Sequence, residues 1–501
     1  LYGLEARAAP LPSERDQNFL LQTENGDAYV LKIANNLEAP AFLAAQNQVM
    51  ALLHARGMEV CQQVFPTRDG QTLVQVTAPT GSQHWVRLVS YLPGQPLGSV
   101  RRHGDELLRD LGARLGELDV ILTDFDHPAL HRTFHWDLAQ ARPVLERHVP
   151  EIADAGLREL VETVAQADLN RLEPLLPRLP RSPIHNDAND YNVLVGGGVD
   201  PYTRNQAVTG LIDFGDMVHS YTVADLAVAA AYALLDKPDP LAAACQVVKG
   251  YHPVRPLTDE ELAALFGFIR LRLCMSVAHA AHQQAQRPDD PYLSISQAPI
   301  RRTLPKLARI HPRFAEAAFR AACGRVPVPA KEDVANWLTT HRDRVRRVLG
   351  RPLSAETVHV LDLGVASPLV HGDPAHNGAE ELGERIRTRL AERGAQVGVG
   401  RYDEARTLYS GPAFDPMDGR WNERRTIHLG MDLFAPPGTP VHAPLAGTVH
   451  ALADNAAPQD YGPVVILRHE PADGPVFYSI YGHLSRASLA KLRPGQLRQG
   501  P

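Results

Sequence analysis

The segment spanning residues 182–216 constrains the fold more than any other part of this 501-residue chain. It contains two short segments with the pattern of strands, 192–195 and 208–212, joined by a connection rich in Gly, Asp, Pro and Asn. Residues of this kind favour turns, so the pattern predicts two neighbouring strands of a hairpin. Polar side chains at the ends of two such strands are expected to lie close together.

Three polar residues stand at those ends, namely Asp187, Asn192 and Asp213. Phosphoryl transfer from ATP uses one carboxylate to accept the proton of the acceptor hydroxyl, and an amide with a second carboxylate to hold Mg²⁺. The step from Asp187 to Asn192, followed by Asp213-Phe214-Gly215, has the order found in kinases. The combination favours phosphotransferase chemistry over the alternative in which Asp and Asn simply occupy turns.

A second predicted hairpin lies near the start of the chain. Apolar runs at 19–23 and 28–33 flank Glu24-Asn25-Gly26-Asp27, which is a strong turn signal. Lys32 lies in the second strand, and we expect it to contact the nucleotide phosphates. The turn region 13–18 has no glycine, so a contact there would come from backbone or from a short polar side chain such as that of Asn18.

The next segments complete a predicted strand-rich lobe. Residues 41–55 have helical periodicity but carry Gln46 where kinases place a glutamate that pairs with the strand lysine. Strands are predicted at 72–77 and 84–92, before Pro93-Gly94 breaks the chain. We expect the backbone near Ser90 and Leu92 to hold adenine.

The following region is predicted to be mainly helical. Trp136 and Asp137 follow a loop, and Asp137 is a candidate carboxylate for an acceptor amine, as is Asp216. Asp225 lies in an apolar helix, where an acid needs hydrogen-bond partners that the loop before Asn192 can supply. Thr258-x-x-Glu261 predicts a capped helix start.

Residues 1–350 resemble the aminoglycoside phosphotransferase superfamily, and within it the hydroxylysine-kinase branch. The resemblance rests on Lys32, on the motif from His185 to Asn192, on the His-Trp-Asp-Leu run and on Ile212-Asp213-Phe214-Gly215-Asp216-Met217. It implies an α+β, bilobal, protein-kinase-like fold with a β-rich N-lobe and a helical C-lobe.

The same resemblance implies roles for individual residues. The base is Asp187, Asn192 and Asp213 hold Mg²⁺, and Lys32 contacts the phosphates of ATP. Independently of the resemblance, we expect the acceptor, a small hydroxylated amine or amino acid, to meet Trp136, Asp137 or Asp216, and we expect His185 and Asp225 to have structural roles.

A different pattern begins near residue 406. His428 and Asp432 flank Gly430, which permits a bend that brings both side chains to one ion. With Ala443-Pro444 and Tyr481-Gly482-His483-Leu484, this segment resembles the lysostaphin-type zinc endopeptidases. The resemblance implies that His428 and Asp432 are zinc ligands and that His483 is a catalytic histidine.

Zinc and peptide hydrolysis are nevertheless not expected in the chain as given. The third ligand of that family lies in a His-x-His motif that does not occur here, and a catalytic zinc site normally uses three protein ligands. We expect an accessory domain instead. The combination resembles the front part of fusion proteins that continue into an aminotransferase-like domain, and the missing initiator Met suggests a piece of a longer polypeptide.

The expected organisation has four segments. They are an N-lobe at 1–94, a C-lobe with the catalytic loop at 95–350, a linker at 351–405, and a partial, mostly antiparallel β domain at 406–501.

Bulk properties limit the partners. A net charge of −6 without basic, aromatic-rich runs argues against nucleic acid. The longest apolar run, 223–235, is too short to span a membrane. Four cysteines without metal spacing, together with the need for ATP, favour the cytoplasm. The oligomeric state stays open.

Three alternative functions also stay open at this point. They are an aminoglycoside kinase, a zinc metallopeptidase acting on cell-wall-type peptides, and a nucleotide-binding scaffold without turnover.

Overall fold

The computed structural model describes residues 1–501 except 14–15, 80, 197–206, 287–296, 355–356, 410, 412–413, 415–424 and 499–501. The chain divides into two units, Leu1–Pro327 and Val328–Pro501. The first has a strand-rich lobe and a helical lobe, and the second is built largely of short strands. The predicted α+β architecture, bilobal and followed by a small, mostly antiparallel β region, is confirmed.

The strand-rich lobe is one antiparallel sheet. Its strands are β1 (Ala6–Leu11), β2 (Gln17–Thr23), β3 (Ala28–Ile33), β4 (Val64–Phe65), β5 (Val74–Thr77) and β6 (Gln83–Ser90). They lie in the order β1-β2-β3-β6-β4, and β5 also pairs with β6. The turn between β2 and β3 contains Gly26 with φ of 91°, which glycine adopts without steric cost. Helix α1 (Pro40–Ala55) follows β3 and buries Phe42, Val49 and Leu53.

The helical lobe holds most of the core. Its helices are α2 (Asp105–Leu122), α3 (Ala141–His148), α4 (Ala155–Leu172), α5 (Thr222–Ala233), α6 (Pro240–Tyr251), α7 (Asp259–Gln286), α8 (Gln297–Ala308) and α9 (Pro312–Ala322). Helices α2 and α6 meet at two glycines: a Cβ on Gly112 would lie 1.9 Å from the Val247 backbone oxygen, and one on Gly250 would lie 1.8 Å from that of Arg109. Larger residues there would force the two helices apart.

Short strands flank the loops that contain the predicted catalytic and metal-binding residues. They are β7 (Gln95–Pro96), β8 (Arg181–Ile184), β9 (Val193–Gly196), β10 (Ala207–Leu211) and β11 (Val218–Tyr221). The predicted strand pair corresponds to β9 and β10, which pair antiparallel. Their Gly-rich connection lies outside the described residues, as do residues 14–15 of the predicted nucleotide-facing turn.

Helix α7 crosses the core of this lobe. Its predicted capping box forms, because Glu261 N–H donates to Thr258 Oγ1 at 3.1 Å and Thr258 N–H donates to Glu261 Oε2 at 2.8 Å. Among the described helices, α7 alone is long and apolar enough to cross a membrane, but 94% of its most apolar stretch is buried inside the protein. Its apolar character is therefore explained by core packing.

The second unit begins earlier than the predicted boundary at residue 350. Its helix α10 (Ala330–Thr340) carries Trp337, whose indole N–H donates to Asp473 at 3.3 Å and whose ring lies 5.9 Å from that of Phe477. The remaining elements are β12 (Val358–Leu361), α11 (Ala379–Glu392), β13 (Val397–Gly400), β14 (Glu404–Ala405), β15 (Ile427–His428), β16 (Asp432–Phe434), β17 (Gly447–Asn455), β18 (Gly462–His469), β19 (Phe477–Tyr481), α12 (Arg486–Leu489) and β20 (Leu497–Arg498).

The segment 351–405, expected to be a linker, is folded. Strands β12 and β13 pair in parallel on either side of α11 in the sequence, and β13 also pairs with β16. Leu361, Leu363, Leu369 and Ile386 form a small buried cluster. The segment therefore shares a sheet with the region that follows it. A second sheet has the order β19-β18-β17-β20.

Candidate active site

A buried carboxylate holds the loop that carries Asp187. This loop connects β8 to β9, and the backbone N–H groups of His185 and Asn186 donate to Asp225 of α5 at 3.1 and 2.7 Å. The His185 ring is buried and bonds through Nε2 to the Ile212 backbone oxygen at 3.1 Å. His185 and Asp225 thus lie behind the loop and fix its shape.

Asp187 is the centre of a hydrogen-bond network. Its Oδ2 accepts from the side-chain amides of Asn189 and Asn192 at 3.0 and 2.7 Å, and its Oδ1 accepts from Arg272 at 2.8 Å. A carboxylate offers about four lone-pair positions. The three donors leave one lone-pair position, on Oδ1. An acceptor hydroxyl that donates to this position would be within reach of Asp187 as its general base.

The charge state of Asp187 is set by opposing effects. Burial and the neighbouring Asp216 carboxylate raise the pKa of Asp187 to about 8, and the Arg272 guanidinium opposes that shift. A carboxylate with a raised pKa is a stronger base once it is ionised.

Asp213 connects the two lobes of this unit. Its Oδ1 accepts from the Gly215 N–H at 3.2 Å and lies 3.4 Å from Lys32 Nζ on β3. Half of the Asp213 side chain is exposed. Asn192 uses its amide nitrogen to bond the Asp187 side chain and backbone oxygen. Its side-chain oxygen is therefore the atom that can ligate a metal, and carboxylate and amide oxygens are the ligands that Mg²⁺ prefers.

The helix beside Lys32 carries amides where kinases use a glutamate. Gln46 and Asn47 of α1 accept hydrogen bonds from the terminal nitrogens of Arg87, and all three side chains are buried. Arg87 stands directly opposite Lys32 in the register of β3 and β6. Helix α1 is thus attached to the sheet through Arg87, which leaves Lys32 to contact Asp213.

These groups converge on one cleft of about 780 Å³. The predicted site residues that line it are Asn18, Lys32, Leu92, Trp136, Asp187, Asn192, Asp213 and Asp216. Residues that the motifs did not indicate also line it, among them Arg87, Tyr232, Arg272, Ser276 and Gln297. A cavity of this volume suits small molecules.

Two predicted site residues are not brought to the cleft. The Asp137 carboxylate is buried, caps a short 3-10 turn and accepts a hydrogen bond from Ser220 Oγ, so it is not available to an acceptor amine. Ser90 N–H donates to the Gln63 oxygen at 2.8 Å, and the Ser90 carbonyl accepts from Gln62 at 3.2 Å. The Ser90 backbone is therefore paired within its own lobe and is not presented to adenine.

Arg87 and Arg272 are the candidates that motif analysis missed. Arg272 lies between Leu271 and Leu273 in an apolar stretch of α7. A charged side chain in such surroundings needs a polar partner. A charged residue among apolar neighbours is the sequence signal that indicates Arg272, but this signal does not identify Asp187 as the partner.

A second buried acid, Asp119 of α2, lies next to Asp225. Tyr251 OH donates to Asp119 Oδ2, and Oδ1 has no hydrogen-bond partner among the described residues. Burial and the nearby Asp225 carboxylate raise the pKa of Asp119. A proton on Asp119 that bonds to Asp225 explains both observations.

This arrangement predicts a pH-dependent stability. Because the folded state holds the Asp119 proton more tightly, the stabilisation is complete below the unfolded pKa of about 4 and is lost as pH rises through the raised folded value. We expect Asp119→Asn, whose amide mimics the protonated acid, to reduce the fall in thermal midpoint between pH 4 and pH 8. In contrast, Asp168→Asn should lower the midpoint across this pH range, because it leaves Arg270 of the buried ion pair without its carboxylate. A fall in Asp119→Asn as large as in wild type would contradict this assignment.

In the second unit, His428 and Asp432 lie together. His428 Nε2 is 3.3 Å from Asp432 Oδ1. However, Tyr409 OH bonds to His428 Nδ1, and Arg406 donates to Asp432 Oδ2 at 2.7 Å. Within the described residues, the groups of three or more candidate metal ligands include neither of them. The arrangement does not fit the three-ligand site of a catalytic zinc enzyme.

We therefore expect little zinc in the purified protein. After dialysis at neutral pH, mass spectrometry should find well below one zinc per chain, because the Arg406 cation competes for Asp432. One retained zinc per chain that His428→Ala removes would show that His428 and Asp432 suffice to hold zinc.

His483, the predicted catalytic histidine, follows β19, and its backbone N–H donates to the Tyr461 oxygen at 2.7 Å.

Two family models match the chain. One, described as "Phosphotransferase enzyme family", matches residues 7–263. The other, "Peptidase family M23", matches residues 426–499. The first match contains Lys32, Asp187, Asn192 and Asp213.

The chain is also similar to curated proteins and to solved structures. Hydroxylysine kinase of Danio rerio is 32% identical over 322 residues, which cover 62% of this chain and 88% of that protein. Homoserine kinase of Methylobacterium radiotolerans is 32% identical over 260 residues, which cover 50% and 72%. The structure of a microcompartment-associated aminopropanol kinase has a TM-score of 0.47 at 18% identity and covers 65% of this chain and 96% of that one.

Proposed function

Since this chain belongs to the phosphotransferase enzyme family, we propose that its first unit transfers the γ-phosphoryl group of ATP to a hydroxyl of a small amino alcohol or hydroxy-amino acid. The observation that carries the proposal is the convergence of Asp187, Asn192, Asp213 and Lys32 on one cleft. Lys32 is on β3 of the strand-rich lobe and the other three residues are on loops of the helical lobe, so the cleft brings together the groups that phosphoryl transfer needs.

Asp187 is the general base. The acceptor hydroxyl bonds to the remaining position on Oδ1, and its proton passes to the carboxylate as the hydroxyl oxygen attacks the γ-phosphorus. The bond between the γ-phosphorus and the β,γ-bridging oxygen breaks, and ADP leaves. The amides of Asn189 and Asn192 hold the other carboxylate oxygen and so restrict the orientation of the base.

Asn192 and Asp213 are the residues that would hold Mg²⁺. When bound, the ion neutralises charge on the nucleotide phosphates. Lys32 lies beside Asp213 and contacts the phosphates, while Asn18 and Leu92 line the cleft where the nucleotide enters.

The acceptor carries an amine as well as a hydroxyl. Hydroxylysine and homoserine, named for the relatives, both have this chemistry. Asp216 lines the cleft beside Asp187 and is the carboxylate that receives the amine, with Trp136 forming a wall of the same pocket. The nearby acid Asp137 has no such role, because its carboxylate is held by Ser220.

The second unit is an accessory domain within a multidomain enzyme. Its peptidase-like segment has two of the expected ligand residues in contact but with an arginine on one of them. Because the reaction consumes ATP, we propose that it takes place in the cytoplasm. It requires neither nucleic acid nor a membrane.

An acceptor panel tests this function. ATP consumption should depend on divalent metal and should occur with hydroxylysine, homoserine or a short amino alcohol. Lysine, which lacks only the hydroxyl of hydroxylysine, is the matched control and should give no consumption. Preference for aminoglycosides would overturn the acceptor class, and no transfer to any hydroxylated amine would favour a binding scaffold.

A further inference from the structure

Arg272 lies in contact with the proposed base but belongs to a distant element. It is in the middle of α7, and the guanidinium is almost fully buried. One terminal nitrogen donates to Asp187 Oδ1 at 2.8 Å and the other to the Trp136 backbone oxygen at 3.1 Å. The guanidinium carbon also lies 4.5 Å from the centre of the Trp136 ring and 5.7 Å from that of Tyr232.

These contacts give the guanidinium a fixed position. A planar donor fork that bonds two acceptors can rotate little, and stacking on aromatic rings restricts it further. Trp136 and Tyr232 both line the cleft. The same residues that shape the acceptor pocket therefore also set the place of the Arg272 donor.

The bond to Asp187 falls on the oxygen that matters for transfer. Oδ2 already accepts from Asn189 and Asn192, so the remaining lone pair is on Oδ1. A donor on one side of Oδ1 fixes the direction of its other lone pair. Without that donor, the carboxylate could rotate or shift while the loop itself stayed folded.

We propose that Arg272 is a positioning residue for phosphoryl transfer, which aims the free lone pair of Asp187 Oδ1 at the acceptor hydroxyl. This inference rests on the proposed function. The contacts of Arg272 differ from those of Arg270, two positions earlier on α7. Arg270 pairs with Asp168 and lies outside the cleft lining. Arg270 serves as the matched structural control.

The effect should be on turnover rather than on nucleotide binding. A misplaced catalytic group can cost about 10²-fold in rate, so Arg272→Ala should lower kcat by about that factor while the KM for ATP changes by less than about threefold. Lysine keeps the charge but cannot bond both acceptors with a planar fork. Arg272→Lys should therefore recover only part of kcat, and added guanidinium ion should raise kcat of Arg272→Ala.

A double-mutant cycle on kcat tests whether Arg272 acts through Asp187. If it does, Arg272→Ala costs little in an Asp187→Asn background, because the group that it positions is already lost. Arg270→Ala should lower stability, should not respond to guanidinium ion, and should change kcat by the same factor in both backgrounds.

The outcomes distinguish a failure of the positioning role of Arg272 from a failure of the proposed function. Equal loss from Arg272→Ala with and without Asp187 would overturn the positioning role, as would a rise in KM for ATP with unchanged kcat. If wild type transfers phosphate to no hydroxylated amine, the proposed function itself has failed. Should Arg272→Ala not fold, as judged by circular dichroism and ATP calorimetry, Arg272→Gln takes its place in the same cycle.

Discussion

Replacing Asp187 by Asn is expected to lower kcat by roughly 10²–10⁴-fold, the usual contribution of a general base. Asparagine keeps the size of the side chain but cannot accept the proton of the acceptor hydroxyl. The substitution leaves Lys32 and Asp213 in place, so ATP affinity should stay close to the wild-type value. Steady-state kinetics with the cognate acceptor and calorimetry with ATP and Mg²⁺ measure the two quantities.

The matched control is the same substitution at a helix start. Asp154 caps α4 by accepting from the Leu157 N–H at 3.0 Å, and Asn caps as well as Asp does. Asp154→Asn should keep wild-type kcat and stability. Wild-type turnover in Asp187→Asn would show that another group takes the proton.

Replacing Asp225 by Ala is expected to reduce both stability and turnover. The change leaves the backbone N–H groups of His185 and Asn186 buried without an acceptor, and each such loss costs about 1–3 kcal/mol. We therefore expect a decrease of about 2–6 kcal/mol in the free energy of unfolding. Because the loop carries Asp187, kcat should fall even at temperatures where the protein stays folded.

Asp239→Ala is the control for this second variant. Asp239 also accepts a backbone N–H, that of Ala242 at 2.9 Å, but it caps α6 and lies outside the cleft lining. Its loss should cost about 1 kcal/mol, as for an ordinary N-cap, and leave kcat unchanged. Chemical unfolding and kinetics on both variants decide the point: a loss in Asp225→Ala no larger than in Asp239→Ala would refute the loop-anchoring role.

Local motifs predicted the central part of this site because the chemistry is carried by short loops at strand ends. Asp187, Asn192 and Asp213 are near one another in the sequence. The turn residues between β9 and β10 indicated that these two strands pair. Lys32 was predicted from its strand and hairpin together with the downstream set of Asp187, Asn192 and Asp213. In each case the sequence signal lies within one or two adjacent elements, although Lys32 meets Asp213 across 181 positions of the sequence.

Contacts between distant elements were not predictable in this way. Arg272 meets Asp187 across 85 positions of the sequence, and Arg87 meets Gln46 across 41. Asp137 shows the converse problem, since an acid after a loop can equally cap a turn or bind an amine. The sequence does not reveal that Ser220 lies within reach of its carboxylate.

Domain limits were also hard to predict. Segment 351–405 reads as a linker because its apolar runs are short, yet β12 and β13 pair in parallel and complete a sheet with β16. Pairing partners that lie far along the chain give no local periodicity that identifies them.

The most direct test of the central claim is the position of the transferred phosphate. Wild-type protein is incubated with ATP, Mg²⁺ and the acceptor selected by the panel, and the product is examined by phosphorus NMR and mass spectrometry beside the Asp187→Asn variant. We predict one phosphate monoester on the acceptor hydroxyl oxygen, formed in proportion to ADP and almost absent with the variant. Release of free phosphate without an ester, or phosphate on the amine or carboxylate of the acceptor, would contradict the account.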